Sequence, residues 1–108
     1  MDNAVTDRLY RGERGKDVVS VTVHRAPGVS APLPAAPGAH FDWGRPTPGA
    51  VALAEALVRE VQPAPAAEVI EAFFHEVVLQ LPFLEPWVLW RGELEQFVGS
   101  RQAVSTAS

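Results

Sequence analysis

The chain has 108 residues, of which 47% are hydrophobic and 20% are charged, and it contains no cysteine. This length suits one small domain with a single core, and the composition is that of a globular rather than a disordered protein. The absence of cysteine excludes disulfides, thiolate zinc sites and cysteine nucleophiles.

The hydropathy pattern favours a cytoplasmic protein without a membrane contact. No apolar run approaches the roughly 18–20 residues that a helix needs to cross a bilayer. The first residues have neither the basic nor the apolar region of a secretory signal.

Charge is unevenly distributed along the chain, whose formal net charge is −4. Residues 1–25 carry five basic and four acidic side chains, whereas residues 26–108 carry four arginines and nine acids. The acidic remainder argues against a protein built chiefly to hold nucleic acid, although a basic patch near the start of the chain stays open.

Two strands are predicted first, over residues 9–14 and 18–24, and together they suit an antiparallel hairpin. Val19, Val21 and Val23 alternate with polar residues, which is the period-two pattern of a half-buried strand. Prolines then crowd residues 27–38, where a short third strand over residues 29–33 is tolerated only at a sheet edge. The residues leave open whether this stretch binds something or is a tolerated loop.

Residues 41–44, Phe-Asp-Trp-Gly, mark the change from this β-type region to helices. Thr47 is a suitable N-cap and Pro48 is favoured at the first helical position. The first helix is therefore predicted over residues 48–61, ending before Pro63, which cannot lie in a helix interior.

The second helix is predicted over residues 66–81, ended by Pro82. Glu68, Glu71 and Glu76 lie on its polar side. Its apolar stripe is the strongest in the chain and comprises Val69, Ile70, Phe73, Phe74, Val77, Val78 and Leu81.

The last elements are an extended segment over residues 87–90 and a short helix over residues 91–98. Side chains alternate along an extended segment, so Trp87 and Trp90 should point to opposite faces, one buried and the other partly exposed. Gly99 is the predicted C-cap of the last helix.

These elements predict one compact α+β domain over residues 9–99, between flexible tails at residues 1–8 and 100–108. We expect an antiparallel sheet of two or three strands, packed by two main helices and a short third helix. The predicted core consists mainly of Phe41, Trp43, Leu53, Leu57, Ile70, Phe73, Phe74, Val77, Leu81 and Trp87.

Signatures of catalysis are weak, and no cofactor is predicted. Glu71 and His75 are four residues apart on one helix face and could share a metal with His24 or His40, but an exposed pair is the simpler interpretation. The chain has neither a Gly-x-Ser-x-Gly elbow nor a phosphate-loop sequence. A small metal-dependent enzyme is therefore the third of three hypotheses.

Several short motifs occur together in a fixed order. They are Tyr10-Arg11-Gly12, Phe41-Asp42-Trp43-Gly44, Phe74-His75-Glu76-Val77-Val78, Leu81-Pro82 and Trp87-x-Leu89. With this order, residues 9–98 resemble a family of small bacterial and phage proteins that is known only as a domain of unknown function. The resemblance implies an architecture and no activity.

The first functional hypothesis is a non-enzymatic protein-interaction or regulatory module, encoded by a phage or mobile element and acting on a host or viral protein of unknown identity. Its candidate surface consists of Trp90, Glu68, Glu71 and Glu76. Tryptophan is enriched among interface hot spots, and the acidic residues suit a basic partner.

The alternative hypothesis is a nucleic-acid-associated accessory domain that uses the basic hairpin. Its candidate contacts are Arg8, Arg11, Arg14, Lys16 and Arg25. The sequence does not specify the oligomeric state.

Overall fold

The structure is a computed structural model and describes residues 8–15, 19–26, 29–34 and 40–107. Its elements are β1 (Leu9–Arg14), β2 (Val19–Ala26), β3 (Val29–Pro32), α1 (Pro48–Val61), α2 (Ala67–Glu76), a 3₁₀ turn (Val78–Gln80), β4 (Trp87–Trp90) and α3 (Arg91–Ala107). The strands form one antiparallel sheet in the order β3-β2-β1-β4. The α+β class is confirmed.

The sheet has four strands, so the prediction of two or three was too low. The additional strand is β4, in which Leu89 lies opposite Tyr10 and Trp87 lies opposite Gly12 of β1. This pairing joins segments from opposite ends of the chain, and no local pattern reveals such a contact. The predicted third strand is confirmed as β3, which lies at the other edge of the sheet.

One hydrophobic core lies between the sheet and the helices. The five predicted core residues that are buried are Trp43, Leu53, Leu57, Phe73 and Trp87. The other five are only partly buried and pack against the core: Phe41, Ile70, Phe74, Val77 and Leu81. Buried residues outside this short list complete the core: Tyr10, Val21, Val23, Leu33, Ala50, Ala54, Val58, Val69, Val78, Leu94 and Val98.

Helix α1 has the predicted bounds. Thr47 is its N-cap, and the Thr47 hydroxyl accepts the Ala50 N–H at 3.2 Å. Pro48 occupies the first helical position, where the missing N–H removes no hydrogen bond.

Helix α2 ends at Glu76, five residues before the predicted end. Val77 departs from helical geometry at φ −120°, and the chain then forms the 3₁₀ turn. The Val78 carbonyl accepts the N–H of Gly44 at 3.1 Å. Pro82 has no N–H with which to continue the helical ladder at Val78, and the segment before α1 supplies a donor there instead. The sequence of α2 alone could not show this long-range contact.

Helix α3 is longer than predicted and has 17 residues. Gly99 lies inside the helix and is not its C-cap, so the helix continues into the stretch predicted as a polar tail. Leu94 and Val98 are its buried anchors. The predicted flexibility of the two tails stays a prediction, and residues 1–7 lie outside the described part of the chain. None of the described helices has the length and apolar character that crossing a membrane requires.

Candidate interaction surfaces

Asp42 is the centre of a polar network at the junction between the sheet and α1. Its Oδ1 accepts hydrogen bonds from the Arg14 guanidinium at 2.6 Å and from the Trp43 N–H at 2.8 Å. Its Oδ2 accepts from Arg45 at 3.0 Å and from the Thr47 hydroxyl at 3.1 Å. Burial raises the pKa of the Asp42 carboxyl, but these hydrogen bonds outweigh burial and lower that pKa to about 2.

Arg14 is held on several sides in this network. Its guanidinium lies 4.8 Å from the centroid of the Trp43 ring and 4.3 Å from that of Phe83, and its Nε donates to the Phe83 carbonyl at 2.8 Å. Both carboxylate oxygens of Asp42 accept hydrogen bonds, and the Arg14 guanidinium is enclosed between Asp42, Trp43 and Phe83. The pair therefore fastens the segment before α1 to β1 rather than presenting a reactive acid.

Gly44 completes the same junction. It has φ +79°, a conformation that L side chains rarely adopt, and a Cβ there would lie 2.9 Å from the Leu81 carbonyl oxygen. The Trp-Gly dipeptide is thus required by backbone geometry and by close packing.

The open face is the side of the sheet that points away from the core. Strand register and side-chain alternation place on it the side chains of Leu9, Arg11, Glu13, Ser20, Thr22, His24, Ser30, Pro32, Val88 and Trp90. Trp90 is 47% exposed and Val88 is 45% exposed, whereas Trp87 is buried, which confirms the predicted division of the two tryptophans. No described element covers this face.

Trp90 has a well-defined backbone position on the open face. It lies opposite Leu9 in the pairing of β4 with β1, and Val88 lies opposite Arg11. The Trp90 N–H donates to Oε1 of Glu93 at 2.8 Å, which is half of a capping box at the start of α3. The exposed indole is therefore carried by an ordered strand end.

The acidic candidates lie on a different side of the molecule from Trp90. Glu68, Glu71 and Glu76 are all exposed on α2, which packs on the core side of the sheet. The structure thus separates the four residues of the predicted surface into the open face and a helical surface.

Two of the five basic candidates point toward the helices and have acidic partners there. Arg14 binds Asp42, as described above. Arg8 lies 3.9 Å from the Glu60 carboxylate, which also accepts the Tyr10 hydroxyl at 3.2 Å.

The other basic candidates are dispersed. Arg11 is on the open face and forms an ion pair with Glu13 at 2.9 Å. Arg25 is exposed near the end of β2, and Lys16 lies outside the described residues. The described arginines of the hairpin therefore do not form one basic patch.

The histidines and carboxylates of the metal hypothesis are also dispersed. Glu71 and His75 are exposed on α2, and His24 is on the open face. Among the described residues, no three His, Asp or Glu side chains lie close enough together to hold a metal ion.

A family model of unknown function, DUF6166, matches residues 10–100, from β1 through most of α3. The chain belongs to this family. No curated protein and no solved structure matches the chain. Membership in DUF6166 agrees with the resemblance seen in the sequence and assigns no activity.

Packing explains three of the short motifs in the sequence. Gly12 lies beneath the Trp87 ring, and a Cβ there would overlap the indole. Asp42 and Gly44 hold the junction before α1. The exposed side chains of Val88 and Trp90 have no comparable role in the core, so they are the stronger candidates for binding.

One surface was missed by sequence reasoning, a groove between α1 and α2 of about 450 Å³. Its lining residues are Val51, Glu55, Ala67, Ile70, Glu71, Phe74 and His75. The sequence does contain a sign of this groove, since the apolar stripe of α2 includes adjacent pairs such as Phe73 and Phe74. In the structure Phe73 is buried, while Phe74 is only partly covered and lines the groove.

Proposed function

We propose that this protein is a non-enzymatic protein-interaction module that binds its partner through the open face around Trp90. The observation that carries this proposal is the pair of half-exposed apolar side chains, Trp90 and Val88, on a sheet face that no described element covers. Clustered exposed apolar side chains with polar neighbours are typical of interaction sites.

The backbone around Trp90 favours binding. Leu9 pairs with Trp90 across the sheet, and Glu93 accepts the Trp90 N–H, so the indole is attached to a fixed strand end. Because the backbone of Trp90 is already ordered, covering the residue costs mainly the rotamer freedom of its own side chain. Tryptophan also buries a large apolar area, which makes Trp90 the expected hot spot.

The partner that we propose is a protein of the host or of a virus. The support for this class is the resemblance to bacterial and phage proteins, together with the dispersal of the arginines that a nucleic-acid surface would need. Arg14 and Arg8 face Asp42 and Glu60, and Arg11 is paired with Glu13.

Affinity capture from bacterial lysate, with and without phage infection, tests the proposal. Tagged wild-type protein, Trp90→Ala and Leu84→Ala would be compared by mass spectrometry, and the captured partner would then be purified and titrated. Leu84 is the matched control, because it is 76% exposed and lies in the connection before β4. We expect a stoichiometric partner that wild type and Leu84→Ala retain and Trp90→Ala loses. A partner bound equally by all three proteins would contradict the proposed surface.

Titration with single- and double-stranded oligonucleotides at low and moderate salt tests the alternative hypothesis that the protein binds nucleic acid. Phosphate-driven binding falls steeply as salt increases. We expect no binding even at low salt. Salt-sensitive binding of single strands that Trp90→Ala abolishes would instead indicate base stacking on the open face.

A further inference from the structure

The α1–α2 groove described above, which His75 also lines, has an apolar floor. Val51 is 45% exposed on α1, and Ile70 and Phe74 of α2 pack against the core while still lining the groove. Apolar side chains from both helices therefore face solvent along the same trough.

The apolar stripe of α2 extends beyond its fully buried residues. Val69 and Phe73 are buried, whereas Ile70 and Phe74, one position further along, are only partly buried. Ile70 and Phe74 lie at the margin of the apolar stripe, where one side of each packs on the core and the other lines the groove. The side that lines the groove is available to another apolar surface.

The groove is bordered by negative charge. Residues 48–76 contain five glutamates and one arginine and no other charged residue. Glu60 is directed toward Tyr10, and Arg59 is paired with Glu55 at 2.8 Å, so Glu71 at the groove and Glu68 beside it have exposed carboxylates without a described cationic partner. This charge pattern is complementary to lysine and arginine.

We propose that the α1–α2 groove binds the apolar face of a basic amphipathic helix from a protein partner. Apolar side chains at positions i and i+4 of that helix would lie on Val51, Ile70 and Phe74, and a flanking lysine or arginine would face Glu71, with Glu68 beside it. This is a second binding surface beyond the open face, and it shares no residue with the Trp90 surface.

An array of synthetic amphipathic helical peptides provides the probe. Each peptide carries leucine, isoleucine or phenylalanine at i and i+4 with lysine on the flanks, and two control sets replace lysine by glutamate or scramble the order. Binding to the full chain would be measured by calorimetry at low and moderate salt. We expect lysine peptides to bind, with affinity decreasing as salt increases, and neither control set to bind.

Surface variants locate the site. Glu71→Lys and Val51→Glu each replace a solvent-exposed side chain, and we expect each to weaken peptide binding about tenfold. Glu85→Lys is the matched control, an exposed carboxylate in the connection before β4, and should bind as wild type does. Circular dichroism of each variant verifies that the helices are intact.

Failure of every lysine peptide to bind, or equal binding to Glu71→Lys and to wild type, would overturn the groove assignment. So would a self-associating protein in which Val51→Glu converts a dimer to a monomer, since the occupant would then be a second copy. Trp90→Ala should leave peptide binding unchanged. Because peptide binding is measured separately in Trp90→Ala, a failure of the groove proposal can be distinguished from a failure of the proposed open-face surface.

Discussion

Asp42 connects Arg14 on β1, which lies 28 positions earlier, with the Trp43 backbone and the Thr47 cap of α1, which follow it closely in the chain. Its carboxylate has four hydrogen-bond donors, and the Asp42 residue is 9% exposed. Asp42→Asn keeps the shape but removes the charge that neutralises Arg14. We expect the free energy of unfolding in urea to fall by about 2–3 kcal/mol. Glu13→Gln, which removes an exposed partner of Arg11, should change it by less than about 1 kcal/mol.

The same carboxylate gives a pH dependence with a definite sign. The pKa of Asp42 is lowered from 3.8 to about 2 in the folded protein, so its charge stabilises the fold above pH 3.8. This contribution, on the order of 2 kcal/mol, is lost as the pH falls through the folded pKa. The difference in unfolding free energy between wild type and Asp42→Asn should therefore shrink between about pH 5 and pH 2. A constant difference over that window would show that charge is not the cause.

Two glycines provide a matched test of packing against the sheet. A Cβ on Gly12 would overlap the Trp87 ring, whereas a Cβ on Gly92 in α3 would have no atom within 4 Å. We expect Gly12→Ala to destabilise the protein by about 1–3 kcal/mol through overpacking. Gly92→Ala should instead stabilise it by about 0.5–1 kcal/mol through helix propensity. Thermal unfolding of both variants distinguishes a steric effect from a general intolerance of alanine.

At the scale of the element, α1 depends on its first turn. Thr47 both accepts the Ala50 N–H and donates to Asp42, so it links the helix start to the polar network. Thr47→Ala should lower the free energy of unfolding by about 1–2 kcal/mol. Thr47→Ser keeps both hydrogen bonds and should recover most of the loss in the same urea titration. Equal losses in the two variants would mean that the methyl group, not the hydroxyl, matters.

Strand β4 sets the environments of its two tryptophans, which fluorescence can measure. Trp43 is fully buried and Trp87 is 5% exposed, while Trp90 is 47% exposed. Iodide should therefore quench mainly the Trp90 emission of the folded protein. Trp90→Phe should remove the quenchable fraction and shift the remaining emission to the blue. A large quenchable fraction in Trp90→Phe would contradict the register of β4.

Local sequence signals predicted some elements and not others, for physical reasons. Helix α1 was predictable because Thr47-Pro48 and Pro63 provide chemical start and stop signals at its two ends. The end of α2 at Glu76 was not, because residues 77–81 contain no proline or glycine that would signal it, and the contact of Gly44 with Val78 comes from a segment distant in sequence. Gly99 did not end α3, since one glycine costs a helix only about 1 kcal/mol.

At the scale of the whole molecule, only part of the candidate site could be predicted. The alternation of side chains along an extended segment was enough to predict that one of the two tryptophans is exposed. The pairing of β1 with β4, which places Trp90 beside Leu9, is a long-range contact that local sequence does not predict. The same limit applies to Arg14, whose partner Asp42 is 28 positions away. The sequence shows that a side chain is charged or apolar. Only the fold shows whether another part of the chain already pairs with that charge or covers that apolar surface.

One shared core predicts cooperative unfolding of the whole domain. Tyr10 and Val23 of the sheet, Leu57 of α1, Phe73 of α2 and Leu94 of α3 belong to the same buried cluster. A small domain with one core usually unfolds in a two-state transition. Tryptophan fluorescence and far-ultraviolet circular dichroism should therefore give the same urea midpoint.

Leu94→Ala tests that prediction at the contact between α3 and the core. Leu94 is 1% exposed, so the substitution should lower the free energy of unfolding by about 2–5 kcal/mol. If α3 is an integral part of the domain, both midpoints should move together, because loss of its anchor weakens the common core. A dichroism transition that precedes the fluorescence transition would instead show that α3 unfolds separately from the sheet around Trp43 and Trp87.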